Sequence, residues 1–127
     1  MKKILIVDDQ PTIRQIIRLA VWGGFDIQEA GDAETAYRLI KVSRPDALVL
    51  DVLMPGKMDG FQLCERIKKD PELQNIYVVL VTACSQVEDQ EKGMALGANA
   101  YFVKPFSPME LWRHLVAALL TDPPNRN

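Results

Sequence analysis

Apolar positions along the chain follow two alternating rhythms. Short continuous runs, "KKILIV" (2–7), "DALVLD" (46–51) and "IYVVLV" (76–81), read as buried strands, and "FDIQEA" (25–30) and "AYFVK" (100–104) are further strand candidates. Between them the spacing becomes helical. Ile13, Ile16, Ile17, Ala20 and Val21 fall on one helical stripe, and Ala33, Ala36, Tyr37 and Ile40 repeat it. Asp32 stands ahead of that second helix as an N-cap, and Ser107-Pro108 opens the last helix with a cap and an N1 proline. Leu63 and Ile67 mark a short third helix. The segment "QVEDQEKGMALGA" is weakly patterned and interrupted by Gly93, so it is expected to be the least stable helix.

Strands alternating with helices imply right-handed crossovers and an α/β fold, a parallel sheet covered by helices on both faces. The most apolar runs, residues 4–7, 47–50 and 78–81, are expected at the centre, and the mixed "FDIQEA" at an edge. The last helix carries two apolar stripes, Leu111, Leu115, Ala118 and Leu119, and Met109, Trp112, Val116 and Leu120. One should pack on the sheet. The other is either covered by neighbouring helices or left open as a homodimer or partner surface. Residues 1–120 read as one domain, and 121–127 as a flexible tail or the start of a linker.

Composition narrows this only slightly. With 127 residues, 25% charged and 48% apolar, the chain has the balance of a globular domain. A formal net charge of −2 gives no basic stripe, which argues against direct nucleic-acid binding. No apolar stretch approaches a membrane span, and the four apolar residues before Asp8 are too few for a signal-peptide core; a cytoplasmic location is expected. Cys64 and Cys84 belong to no CxxC or Cys/His cluster and read as packed thiols. His114 reads as part of an amphipathic helix rather than as a metal ligand.

The polar residues at strand ends carry the chemistry. In a parallel α/β sheet, ligands gather outside the carboxyl ends of the strands. There the first strand ends in Asp8-Asp9, the third in Asp51, the fourth in Thr82 and the fifth in Lys104-Pro105. Each has a plainer explanation alone: a helix cap for Asp8-Asp9, a turn residue for Thr82, a surface charge for Lys104. Their coincidence on one edge argues otherwise. Clustered carboxylates repel unless a hard cation neutralises them, and an oxygen-only donor set favours Mg²⁺. Beside a lysine and a hydroxyl, such a site suits a phosphoryl group, with Asp51 as the nucleophile that forms an aspartyl phosphate.

The stretches "ILIVDDQ", "PDALVLDVLMPG", "DGFQLCERIK", "LVTA" and "GANAYFVKPF" resemble the receiver domain of bacterial two-component response regulators, over residues 2 to about 120. The resemblance implies a flavodoxin-like, doubly wound (βα)5 fold with a five-stranded sheet in the order 2-1-3-4-5. It makes Asp51 the phosphoacceptor from a phosphohistidine on a sensor histidine kinase or phosphotransfer protein. Asp9, Asp51 and the Leu53 carbonyl would ligate Mg²⁺, with Asp8 acting mainly through water. Lys104 would bridge to the phosphoryl group, and Lys104-Pro105 would be a cis peptide. Thr82 and Tyr101 resemble the switch pair that turns phosphorylation into a surface change read by a downstream target or output domain. The domain would act as a switch rather than an enzyme, alone or as a module of a longer regulator. A receiver signalling by protein contacts without phosphorylation is the variant within the family.

Two features depart from the common pattern or qualify it. Three residues, Gly56-Lys57-Met58, stand between Met54-Pro55 and Asp59-Gly60, one more than the family usually has. Leu53 and Cys84, two positions after Asp51 and Thr82, offer little to orient an attacking water, so slow loss of the phosphoryl group is expected. Two rivals are disfavoured. A haloacid-dehalogenase-type phosphatase would need an acidic residue where Leu53 stands, and an FMN-binding flavodoxin would need neutral donors where Asp8-Asp9-Gln10 stand.

Overall fold

The computed structural model describes residues 1–21 and 23–120. Along the chain run β1 (Lys2–Val7), α1 (Pro11–Val21), β2 (Phe25–Ala30), α2 (Ala33–Ser43), β3 (Ala47–Leu50), α3 (Gly60–Lys69), β4 (Tyr77–Thr82), α4 (Val87–Ala95), β5 (Ala100–Val103) and α5 (Pro108–Leu119). The strands form one parallel sheet in the order β2-β1-β3-β4-β5. This is the flavodoxin-like arrangement, with the three most apolar strands central and β2 on an edge. The expected tail, 121–127, lies outside the described residues.

Alternation along the strands builds two cores. Leu5, Val7, Leu48, Leu50, Val78 and Leu80 face one side, where Ala36 and Ile40 of α2 and Leu63 and Ile67 of α3 cover them. Ile4, Ile6, Ala47, Val49, Val79 and Val81 face the other, under Ile17 and Val21 of α1 and Leu111 and Leu115 of α5. Because both faces are buried, the central strands read as unbroken apolar runs.

The caps fall where the residue types place them. Asp32 accepts the Thr35 amide at 2.7 Å, a bond of the kind that stabilises by about 1 kcal/mol. Asp59 and Gln62 form a reciprocal capping box on α3. Ser107 caps α5 by accepting the Glu110 amide at 3.2 Å, with Pro108 at N1.

Three strands shift by one residue at their limits. Asp46 and Asp51 fall just outside β3 and Lys104 just beyond β5, while β4 starts at Tyr77 and extends to include Thr82. The Lys104 amide still donates to the Thr82 carbonyl at 2.8 Å, but Pro105 has no amide proton with which to continue the ladder. In α4 the interruption at Gly93 has a packing reason. Gly93 is the buried residue of that helix, and a Cβ there would lie 2.8 Å from Leu80 Cδ1 and 3.2 Å from Tyr101 Cδ2. The glycine lets the α4 backbone approach the sheet.

On α5, Leu111 and Leu115 are fully buried whereas Ala118 is exposed. Met109 and Leu120 of the second stripe are also exposed, and Trp112 is partly covered. Leu19 and Ala20 of α1 with Pro108, Met109 and Trp112 line an open apolar groove of about 350 Å³.

Candidate functional site

The turn after β1 is tightly held. The Asp8 amide donates to the Ala30 carbonyl at 3.2 Å, and Asp8 Oδ1 accepts the Gln10 amide at 2.9 Å. Asp8 therefore closes a turn ahead of α1 rather than capping that helix. Its carbonyl accepts from Arg14 Nη1 at 2.6 Å, and the same guanidinium pairs through Nε with Glu29 at 2.9 Å. Arg18 takes the other Glu29 oxygen at 2.6 Å. Asp8 is buried and Asp9 exposed.

Asp51 follows β3 directly, its amide donating to the Val7 carbonyl at 2.9 Å. Oxygens of Asp8, Asp9 and Asp51 all come within 4.8 Å of one another, the one such acidic cluster among the described residues. Lys104 Nζ lies 2.8 Å from Asp8 Oδ2 and 3.3 Å from Asp51 Oδ2. Asp51 Oδ1 accepts the Leu53 amide at 3.2 Å.

The electrostatics follow from one ammonium serving two buried carboxylates, Asp8 and Asp51, with Asp9 close by. Burial, then the Asp8 charge, push the Asp51 carboxyl above its ordinary pKa, and Lys104 offsets this only partly. Burial works against the Lys104 ammonium, but the Asp8 hydrogen bond and the Asp51 and Asp8 charges outweigh it and raise its pKa. The donor set is all oxygen, carries excess negative charge and is partly open through Asp9. It fits a hard divalent cation.

Thr82 is fully buried at the end of β4, its Oγ1 accepting the Cys84 amide at 3.3 Å. Tyr101 on β5 donates its hydroxyl to the Cys84 carbonyl at 2.7 Å. Both members of the expected switch pair therefore attach to the turn after β4. Burial foremost holds the Tyr101 phenol at about 12. The Lys104-Pro105 peptide is cis. Leu53 lies beside Asp51 with its side chain 56% exposed, so it does not roof the carboxylate by burial of its own.

The profile of the response regulator receiver domain family matches residues 4–116. The chain belongs to that family. Among curated relatives, the DNA-binding dual master transcriptional regulator RpaA of Synechocystis sp. is 35% identical over 120 residues, covering 94% of this chain and 49% of RpaA. The phosphate regulon transcriptional regulatory protein PhoB of Pseudomonas aeruginosa is 37% identical over 119 residues, covering 93% of this chain and 52% of PhoB. Among solved structures, the chemotaxis protein CheY4 of Vibrio cholerae superposes with a TM-score of 0.85 at 30% identity, covering 94% of this chain and 99% of that one. The receiver domain spans about half the length of the curated relatives it matches.

Several side chains matter to this receiver domain that pattern reading does not single out. Arg14 and Glu29 fix the turn bearing Asp8; the available signal was two arginines one helical turn apart, Arg14 and Arg18, beside a strand that carries Glu29. His114 is tied elsewhere, its Nε2 2.7 Å from the Tyr77 hydroxyl and its ring edge-on to Phe102. Cys64 and Cys84 are free, and burial pushes the Cys64 thiol up to about 11. Among the described residues no helix is long and apolar enough to cross a membrane.

Proposed function

We propose that Asp51 accepts a phosphoryl group from a phosphohistidine of a sensor histidine kinase or phosphotransfer protein. The observation that carries this reading is the three-carboxylate cluster in which Lys104 bridges Asp8 and Asp51. An Asp51 oxygen attacks phosphorus as the P–N bond of the donor breaks. The electron pair returns to the imidazole, which leaves neutral after proton uptake. Lys104, already 3.3 Å from Asp51, is in reach of the incoming oxygens, and Thr82 supplies a hydroxyl at the neighbouring strand end.

Asp9, Asp51 and the Leu53 carbonyl would hold Mg²⁺, with Asp8 through water. When bound, the cation neutralises charge on the transferring phosphoryl group. The protein's own residues do the rest: Asp51 attacks, Lys104 steadies charge, and the turn after β4 responds. Thr82 and Tyr101 share that turn, so a Thr82 hydroxyl drawn toward a phosphoryl group loosens the Cys84 segment that the Tyr101 hydroxyl holds. That change of surface is what a downstream target or output domain reads.

The domain limits are read as 1–120, and the two free thiols suit a reducing, cytoplasmic compartment. The exposed Met109 and Leu120 of α5, with Leu19 beside Met109 in the apolar groove, are read as a homodimer surface, for which concentration-dependent sedimentation is the check.

Intact-mass spectrometry after incubation with acetyl phosphate and Mg²⁺ tests the reading. A single phosphoryl adduct is expected, absent from Asp51→Asn and from a chelator-treated sample. A folded, Mg²⁺-binding protein that gains no adduct would overturn phosphoacceptance and leave signalling by contact alone.

A further inference from the structure

The loop between β3 and α3, lengthened by one residue, reaches across to α2. The Lys57 amide donates to Glu34 Oε2 at 3.0 Å. The preceding Gly56 has φ +112, and a Cβ there would meet Glu34 Oε1 at 3.1 Å. Two separate features thus agree: a left-handed backbone position held by glycine, and a carboxylate lying against that backbone.

Elsewhere the loop is held at its ends. The Leu53 amide is on Asp51 and the Gly60 amide on the Val52 carbonyl at 2.9 Å, while Met54 and Met58 rest on the core beneath. Among the described residues, Lys57 to Glu34 is the one hydrogen bond that fixes the exposed tip.

We propose that Glu34 is a positioning residue, clasping the tip of this loop and so holding its Leu53 end ready for the divalent cation. The proposal rests on the Mg²⁺ reading of the acidic cluster given above. Its physical basis is ordering. Mg²⁺ demands near-ideal octahedral geometry, and a loop that must be ordered on binding loses conformational entropy that a fixed loop has already given up. Glu34 itself belongs to the first turn of α2, where the helix N-terminus favours a carboxylate.

Calorimetric Mg²⁺ titration of the wild type and of Glu34→Ala, Glu34→Gln, Gly56→Ala and Asp9→Asn tests this, together with hydrogen exchange at the Lys57 amide. Glu34→Ala should weaken Mg²⁺ binding about tenfold, as loss of an outer-shell support does, and speed Lys57 exchange. Glu34→Gln keeps an oxygen acceptor and should restore both. Gly56→Ala should weaken binding too, because it strains the left-handed backbone and crowds the Glu34 carboxylate that lies against it.

Unchanged affinity in Glu34→Ala, while Asp9→Asn abolishes binding, would overturn the clasp alone. Equal weakening by Glu34→Ala and Glu34→Gln would overturn it also, since charge rather than the hydrogen bond would then be responsible. A wild type that binds no Mg²⁺, or binds it equally well as Asp9→Asn, would overturn the reading of the cluster and the proposal with it.

Discussion

The Lys104 ammonium lies 2.8 Å from Asp8 Oδ2, joining residues 96 positions apart in sequence. The pair ties the end of β5 to the end of β1 across the β3 and β4 ends that separate them in the sheet. Asp8 is buried, with 2% of its side chain exposed, and the contact offsets the cost of taking its carboxylate out of water.

Removing the ammonium should therefore be costly. Lys104→Met leaves Asp8 and Asp51 facing each other without a cation, and should destabilise the domain by about 2 kcal/mol in chelator. Asp51→Asn in the same background should recover part of that loss. Urea unfolding of both singles and the double closes the cycle. Independent, additive effects would contradict a shared electrostatic origin.

Asp51 is itself a source of instability. Burial and the Asp8 charge raise its pKa, so at neutral pH its ionised form is less favourable folded than unfolded. In chelator, Asp51→Asn should be more stable than wild type by about 1 kcal/mol, a normal size for one substitution. Saturating Mg²⁺ should reduce or reverse the difference, because the cation binds the wild-type cluster better. Thermal melts with and without Mg²⁺ read both effects, and a less stable Asp51→Asn in chelator would refute the account.

Much of this was legible in the chain because the signals are periodic. Two-residue alternation assigns Leu48 and Leu50 to one core and Ala47 and Val49 to the other. Strand-end placement then brought Asp8, Asp9, Asp51 and Lys104 together. Contacts between a helix side chain and a loop backbone leave no such signal. Glu34 on the Lys57 amide is therefore invisible in the pattern, and the spacing of Arg14 and Arg18 hints at the Glu29 pair but not at the Asp8 carbonyl that Arg14 also holds. Gly93 shows the same limit: composition marks it as a break in a helix, while only packing reveals a close approach to Leu80.

The Glu29 pair sets a pH dependence. The Arg18 hydrogen bond foremost, then Arg14, hold the Glu29 carboxyl below its ordinary pKa against the opposing effect of burial. The unfolded chain thus takes up this proton first as pH falls. The stabilisation is complete above the ordinary glutamate pKa and is lost as pH drops through the lower folded value. The stability gap between wild type and Glu29→Gln should be level at neutral pH and shrink in mild acid. A gap that grows there would reverse the assignment.

Persistence of the phosphoryl group should be set by what stands near the phosphorylated carboxylate. Neither Leu53 nor Cys84 offers a group that would orient an attacking water by a strong hydrogen bond. The exposed Leu53 side chain also leaves room for a polar replacement without disturbing the core. Leu53→Asn and Cys84→Glu should each speed loss of phosphate several-fold, roughly 1 kcal/mol in barrier height. Following the phosphorylated mass over time, with Mg²⁺ present and the donor removed, gives the rate directly. Unchanged rates in both variants would refute this account of the phosphoryl lifetime.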